Sequence, residues 1–190
     1  MSDVIKLPAP TFDDTLKVSE ALVKRRSIRS YDGHHIDLQV LANLCYFSAG
    51  ETDHERGFCA NPTACNCHEI DLYVVTDTEC ALYVPHDHAL RVVEKGDFRA
   101  EMAIQDFAKK ASVQFIYVCN AKSFEKFPGD ASHKPRYANT DAAIMAENTC
   151  LYATSVGLNS VIRGMYDPAA VASRLKITAD DKVMLNVSVG

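Results

Sequence analysis

Residues 111–120, "ASVQFIYVCN", constrain the fold of this chain more than any other stretch. The run is apolar almost throughout and shows no alternation of polar with apolar positions. A strand with one wet face alternates; a strand that does not is covered on both faces. The stretch is also far shorter than the roughly 18–20 apolar residues of a membrane span. It reads as the central strand of a sheet with layers on either side.

The rest of the chain supplies both kinds of element. Leu16, Val18, Leu22 and Val23 recur at helical spacing across residues 15–27, and Leu38, Leu41, Leu44 and Cys45 repeat the pattern across 37–49 behind a candidate Asp37 cap. Residues 96–111 open with Asp97 and close with lysines, a charge order that suits a helix dipole, and predict a third helix. A fourth is predicted over 139–156, where Ala142, Met145, Ala146, Thr149 and Ala153 form a small-residue stripe ending at Gly157. Short β-rich runs stand at 69–76 and 80–85, and "KVMLNVSVG" closes the chain. The polar segment 125–137, with two prolines, predicts a long loop and a candidate lid.

At 190 residues, about half of them apolar and a quarter charged, the chain can bury one sizeable core, and we expect a single domain over 1–190. No secretory pattern opens it, which points to the cytoplasm and excludes a membrane role. Seven scattered cysteines fit reduced thiols better than a disulfide framework. Cys59, Cys65, Cys67 and His68 lie close together, but no second CxxC pair follows, so no metal is expected there.

Against a net charge of -5, the stretch "ALVKRRSIRSYD" places Lys24, Arg25, Arg26 and Arg29 within six positions. Cations at the end of a helix complement its dipole and need no ligand. Ser27 and Arg29 fit a second reading, an anion site, because a hydroxyl between forked guanidinium groups is suited to phosphate. Charge-assisted bonds of about 1.5–3 kcal/mol each would let three such groups hold an anion at about micromolar affinity. Nucleic acid is a poor match for a chain that is otherwise acidic.

These residues also carry a resemblance. "RRSIRSY" at 25–31 resembles the RRSxRxF/Y motif of the nitroreductase family, "ANPTACNCHEIDLYVVT" at 60–76 is similar to its PSxxNxQP-type loop and strand, and "AENTCLYATSVGLNSVIRGMYD" at 146–167 is similar to its long helix, Gly-Leu-Gly turn and following segment. "LYVPHDHAL" and "GDFRAEMAIQDFAKKASVQFIYV" further resemble its SagB-type dehydrogenase branch.

The resemblance implies an α+β nitroreductase-like fold, a central mostly antiparallel sheet flanked by helices. It also implies a homodimer with FMN at the subunit interface, in which the small-residue helix forms part of the contact. Arg25, Arg26 and Ser27 would hold the flavin phosphate and ribityl chain; Arg29 would face the pyrimidine end; Pro62, Thr63, Ala64 and Asn66 would frame the ring; backbone of Arg163 and Gly164 would lie against N5. NADH or NADPH would reduce the flavin, and a nitroaromatic, quinone or similar small-molecule acceptor would reoxidise it by a ping-pong mechanism, with no nucleophilic side chain and no catalytic residue beyond those that tune the flavin. His68, His86 and His88 are candidate proton donors. The alternative is a flavin-binding or sensing module without efficient turnover. The sequence departs from the family pattern in three places. His68 and Glu69 replace Gln-Pro, "GLNS" replaces GLGS, and the chain stops at "NVSVG" short of a Gly-Tyr-Pro segment and basic residue, which predicts weaker flavin retention.

Overall fold

The computed structural model describes residues 3–12 and 16–190. In chain order its elements are β1 (Val4–Lys6), α1 (Val18–Lys24), α2 (Leu38–Ala49), β2 (Glu51–Asp53), β3 (Phe58–Cys59), β4 (Ile70–Val75), β5 (Glu79–Val84), β6 (Ala89–Lys95), β7 (Val113–Cys119), α3 (Lys134–Ser155), β8 (Ser160–Arg163), α4 (Pro168–Leu175) and β9 (Lys182–Val189). Seven strands make one sheet in the order β1-β6-β5-β4-β7-β9-β8, antiparallel at every pairing, and β2 and β3 form a separate hairpin.

All seven residues of β7 are buried, and they divide by strand alternation. Val113, Phe115, Tyr117 and Cys119 join a core with Leu41, Leu44 and Cys45 of α2 and Ala142, Met145 and Ala146 of α3. Ile116 and Val118 pack on the opposite side with Met102 and with Val171 and Leu175 of α4. The two-sided burial expected of residues 111–120 is what the sheet shows. Tyr117 satisfies its buried hydroxyl with Thr149 Oγ1 at 2.7 Å, so this large side chain packs without an orphaned polar atom.

Local chemistry sets the helix ends. Asp37 accepts from the N–H groups of Gln39 and Val40 and starts α2, as the sequence predicts. At the other end a Cβ on Gly50 would meet the Tyr46 carbonyl oxygen at 2.6 Å, so only glycine fits this close return of the chain. Gly157, at φ +79°, follows the end of α3. The small stripe of that helix packs inward on α2 and the chain's own sheet; Ala142, Ala146, Thr149 and Ala153 are all buried. That stripe is spent within the chain, so a subunit contact by this helix falls to its other face, where Ala143, Ile144, Glu147, Asn148 and Leu151 are at least partly exposed.

Other expectations also shift. The helix predicted over 15–27 spans only Val18–Lys24, residue 15 lying outside the described residues, because Arg25 turns out of helical geometry at ψ 128°. Its apolar side chains Val18, Leu22 and Val23 are exposed. The helix predicted over 96–111 is absent: the segment holds only short 3₁₀ turns at Arg99–Met102 and Ala108–Lys110. Side chains from the sheet capture its carbonyls, Arg163 and Asn186 donating to Met102 O and Gln114 to Ala108 O. The predicted loop 125–137 is shortened by α3, which begins at Lys134 with Pro135 in its first turn.

Candidate functional site

Past α1 the chain runs extended beside β8, the last strand of the sheet. Ile28 N–H donates to Ser160 O at 3.0 Å, and the side chain of Asn159 donates to Ser30 O, also at 3.0 Å. Asn159 is the residue of "GLNS" that stands in place of glycine, and its amide is what pins the arginine segment to the sheet. Arg25 pairs with Glu147 of α3 at 3.0 Å. Arg26 bonds only the carbonyls of Val23 and Arg25, and Arg29 the carbonyl of Ser27. Among the described residues neither Arg26 nor Arg29 has an acidic partner, and both are exposed, as are Ser27 and Ile28.

Arg163 is the opposite case. It is buried at the end of β8, and its guanidinium donates to Ser188 Oγ, Gln114 Oε1, Met165 O and Met102 O. No carboxylate joins this network among the described residues, and burial lowers its pKa to about 10. The family resemblance implies a role for the Arg163 backbone. The side chain is neither on the surface nor free to meet a ligand. Gly164, immediately after it, is exposed, and a Cβ there would meet nothing within 4 Å, so its main chain is open ground. Tyr31 links the two arginine environments by donating to Ser188 O, on the residue whose hydroxyl receives Arg163 Nε.

Pro62, Thr63, Ala64 and Asn66 lie elsewhere. Their loop carries three non-glycine residues in the left-handed region, Cys65 (φ 51°), Asn66 (φ 56°) and His68 (φ 50°), a conformation that costs roughly 1–3 kcal/mol at each non-glycine position. It is held by Ala64 N–H donating to Asp141 Oδ2 of α3 at 2.7 Å and His68 N–H donating to Thr63 Oγ1. Thr63, Asn66 and His68 line a cavity of about 500 Å³ whose walls include Glu51, Cys59, Tyr83 and Met145.

Beneath the loop lies Glu69, completely buried, and among the described residues its two oxygens meet no donor. Burial, and then the facing carboxyl of Asp141, raise its pKa to about 7. Asp141, whose Oδ2 accepts from Ala64 N–H, thus favours the protonated form of Glu69. The substitution of Glu69 for the family proline thus creates a buried acid pair that sequence spacing did not signal.

The chain thus docks the segment that carries the 25–29 cations along β8, the strand leading into the 163–164 turn, with ties at Asn159, Ser160 and, through Tyr31, Ser188. It holds the 62–66 loop in a separate cavity of the same chain. The helix α3 is the strut common to both, with Glu147 on Arg25 and Asp141 on Ala64.

Comparison with known proteins decides the family. A family model described as Nitroreductase family matches residues 22–190. The chain belongs to the nitroreductase family. It is an oxidoreductase by that membership. A Methanocaldococcus jannaschii protein named as a nitroreductase is 28% identical over 187 residues, covering 93% of this chain and 92% of its own length. A solved structure from Ralstonia eutropha JMP134, likewise named, has a TM-score of 0.91 at 27% identity, covering 98% of this chain and 88% of that chain. The E. coli microcin synthetase McbBCD complex with truncated pro-MccB17 bound shares the fold at a TM-score of 0.76 and 15% identity, over 97% of this chain and 76% of that chain. The fold is therefore the α+β nitroreductase fold that the motifs imply, with a fully antiparallel sheet.

Within this nitroreductase-family fold the histidines separate by environment. His88 is structural: Nε2 contacts Pro8 O at 2.9 Å, so it carries the proton, and Nδ1 accepts from the Tyr83 hydroxyl at 2.8 Å. Burial lowers its pKa. His68 and His86 both line the cavity, and burial lowers the pKa of His68.

Proposed function

We propose that this chain is an FMN-dependent oxidoreductase that takes electrons from NADH or NADPH and reduces a small organic acceptor such as a nitroaromatic or quinone. The observation that carries the reading is the pair of exposed guanidinium groups, Arg26 and Arg29, without an acidic partner among the described residues, on a segment docked to β8, the strand that runs on to the open main chain at Gly164. These residues suit the group. A flavin phosphate needs unspent cationic donors, and an isoalloxazine ring needs backbone it can approach without a side chain in the way.

Bound FMN would accept two electrons and a proton from the nicotinamide and return them to the acceptor in a second half-reaction, a ping-pong sequence. Arg25, Arg26 and Ser27 would bind the dianionic end. Arg29 would place positive charge where reduction leaves negative charge, stabilising it in a site of low dielectric. Gly164 and the peptide of Arg163 would present N–H groups along the ring edge, with the buried Arg163 side chain fixing that peptide in place. Pro62, Thr63, Ala64 and Asn66 would frame the ring from a second copy of the chain. The exposed apolar side chains Phe12, Val18, Leu22 and Val23 supply a face for such a homodimer.

On the residues quoted above, the chain falls with the SagB-type branch of the family and works as one domain. Cytoplasmic residence agrees with seven free cysteines and with the lack, among the described residues, of any helix long and apolar enough to cross a membrane.

The test is mass spectrometry of the chromophore released from purified protein, followed by anaerobic stopped-flow reduction with each nicotinamide. FMN and rapid bleaching by one or both donors are expected. A protein that binds FMN yet is not reduced by either donor would be a sensing module, and the enzyme reading would be lost.

A further inference from the structure

Glu51 and His86 line the 500 Å³ cavity from two hairpins that face each other, and a third side chain, His54, meets them there. The β2–β3 hairpin carries Glu51 on its first strand and His54 in its turn; the turn joining β5 to β6 carries His86. His54 Nδ1 lies 3.1 Å from Glu51 Oε1, and His86 Nδ1 lies 3.1 Å from Glu51 Oε2. The two imidazole rings sit 5.5 Å apart, edge to face. One ligand-capable atom from each of the three residues falls within 4.8 Å of the other two.

We propose that Glu51, His54 and His86 form a three-ligand site for a divalent transition-metal ion, Zn²⁺ by preference, which clips the two hairpins together at the cavity mouth.

The donor set selects the class of ion. Two imidazoles and one carboxylate suit Zn²⁺ and its neighbours, whereas Mg²⁺ and Ca²⁺ seek shells made of oxygen. Around Zn²⁺ with ligands at ~2.0–2.1 Å, tetrahedral neighbours stand ~3.3–3.4 Å apart. With Glu51 Oε1 as the carboxylate ligand, His54 Nδ1 at 3.1 Å and His86 Nδ1 at 3.4 Å are already close to that spacing, so the main adjustment is for the imidazole pair to draw together.

Burial favours the same motion. The Glu51 side chain is 11% exposed and fixed, while those of His54 and His86 are 64% and 73% exposed, with room to pivot. Three protein ligands leave a fourth position for water. Hydrogen bonds alone are a weak reason for the arrangement, because exposed histidine–carboxylate pairs contribute at most about 1 kcal/mol. The expectation of no metal rested on the Cys59–His68 spacing, and that sequence signal is blind to residues 51, 54 and 86, which only the sheet topology brings together.

The test uses the full chain stripped with a chelator and titrated with Zn²⁺ against a chromophoric competitor, with Co²⁺ as a spectroscopic probe of coordination. One Zn²⁺ per chain is expected, with a visible Co²⁺ spectrum of a four-coordinate site and a melting temperature raised by Zn²⁺. Glu51→Gln, His54→Ala and His86→Ala should each weaken binding about tenfold or more, while Cys59→Ser and His35→Ala should leave it unchanged. If Glu51→Gln unfolds the hairpin, the His54→Ala/His86→Ala double variant, altered only at exposed positions, carries the test. The proposal is overturned if the wild-type chain takes up no stoichiometric Zn²⁺ at micromolar concentration, if the double variant binds it equally well, or if Cys59→Ser costs as much as His54→Ala. No readout involves flavin, so failure here and failure of the oxidoreductase reading are separable.

Discussion

Arg163 and Arg29 lie on either side of Tyr31, and the same functional group has opposite uses in the two places. Buried Arg163 spends its donors on Ser188, Gln114, Met102 and Met165, and so fixes the second face of the sheet and the 96–111 segment that packs on it. Among the described residues, exposed Arg29 hydrogen-bonds only the carbonyl of Ser27, which leaves the rest of its guanidinium for something else. A cation committed to its own fold is visible as burial with neutral acceptors. A cation held for a ligand is visible as exposure without an acid. If this division is right, replacing the first kind costs stability and replacing the second kind costs binding.

The largest expected effect tests the buried side. Arg163→Ala strands several buried acceptors and leaves a cavity, and should cost about 3 kcal/mol or more in urea denaturation. A loss below ~1 kcal/mol would erase the distinction between the two arginines.

Glu69→Gln sharpens the same comparison with an acid. Because the folded-state pKa of Glu69 is raised from 4.5 to about 7, the wild-type chain loses stability as pH rises through that window, where the unfolded glutamate is ionised and the folded one is not. The variant should therefore be more stable than wild type by about 1–3 kcal/mol at pH 8 and by much less at pH 4. Equal differences at both pH values would mean that the folded chain does not favour the protonated form of Glu69.

On the exposed side, Arg26→Ala should weaken FMN retention about tenfold or more with stability changed by no more than ~0.5–1 kcal/mol, as read by flavin fluorescence titration and thermal melting. Arg29→Ala should chiefly make the bound flavin harder to reduce, as read by a spectroelectrochemical titration. The smallest effect is local: Asp37→Ala removes two bonds to the first turn of α2 and should cost about 1 kcal/mol, with no change in flavin affinity.

What the sequence showed and what it hid follow from the range of the interactions involved. The buried β7, α2 with its Asp37 cap and the C-terminal end of α3 were legible because period and capping are written in neighbouring residues. The 96–111 segment misled because its fate depends on Arg163, Gln114 and Asn186, which take the carbonyls a helix would have used. β1 and β6 were passed over although Leu90, Val92 and Val93 offered an apolar signal after the Pro85–His88 turn. For the site, the family resemblance assigned the 25–29 and 163–164 segments to one cofactor; the chain docks the first of them along β8, the strand that leads into the second. The burial of the Arg163 side chain, the Glu69–Asp141 pair and the Glu51–His54–His86 meeting are long-range facts without a local signature.

The strand β8 would present a bare row of amide and carbonyl groups at the end of the sheet, were the 28–30 segment not hooked along it through Ser160 and Asn159. Bare rims of this kind template pairing between molecules. The stretch that displays the guanidinium groups therefore doubles as a guard against self-association. Substituting Asn159 should release it and turn soluble protein toward aggregates, so that solubility and cofactor retention fail together.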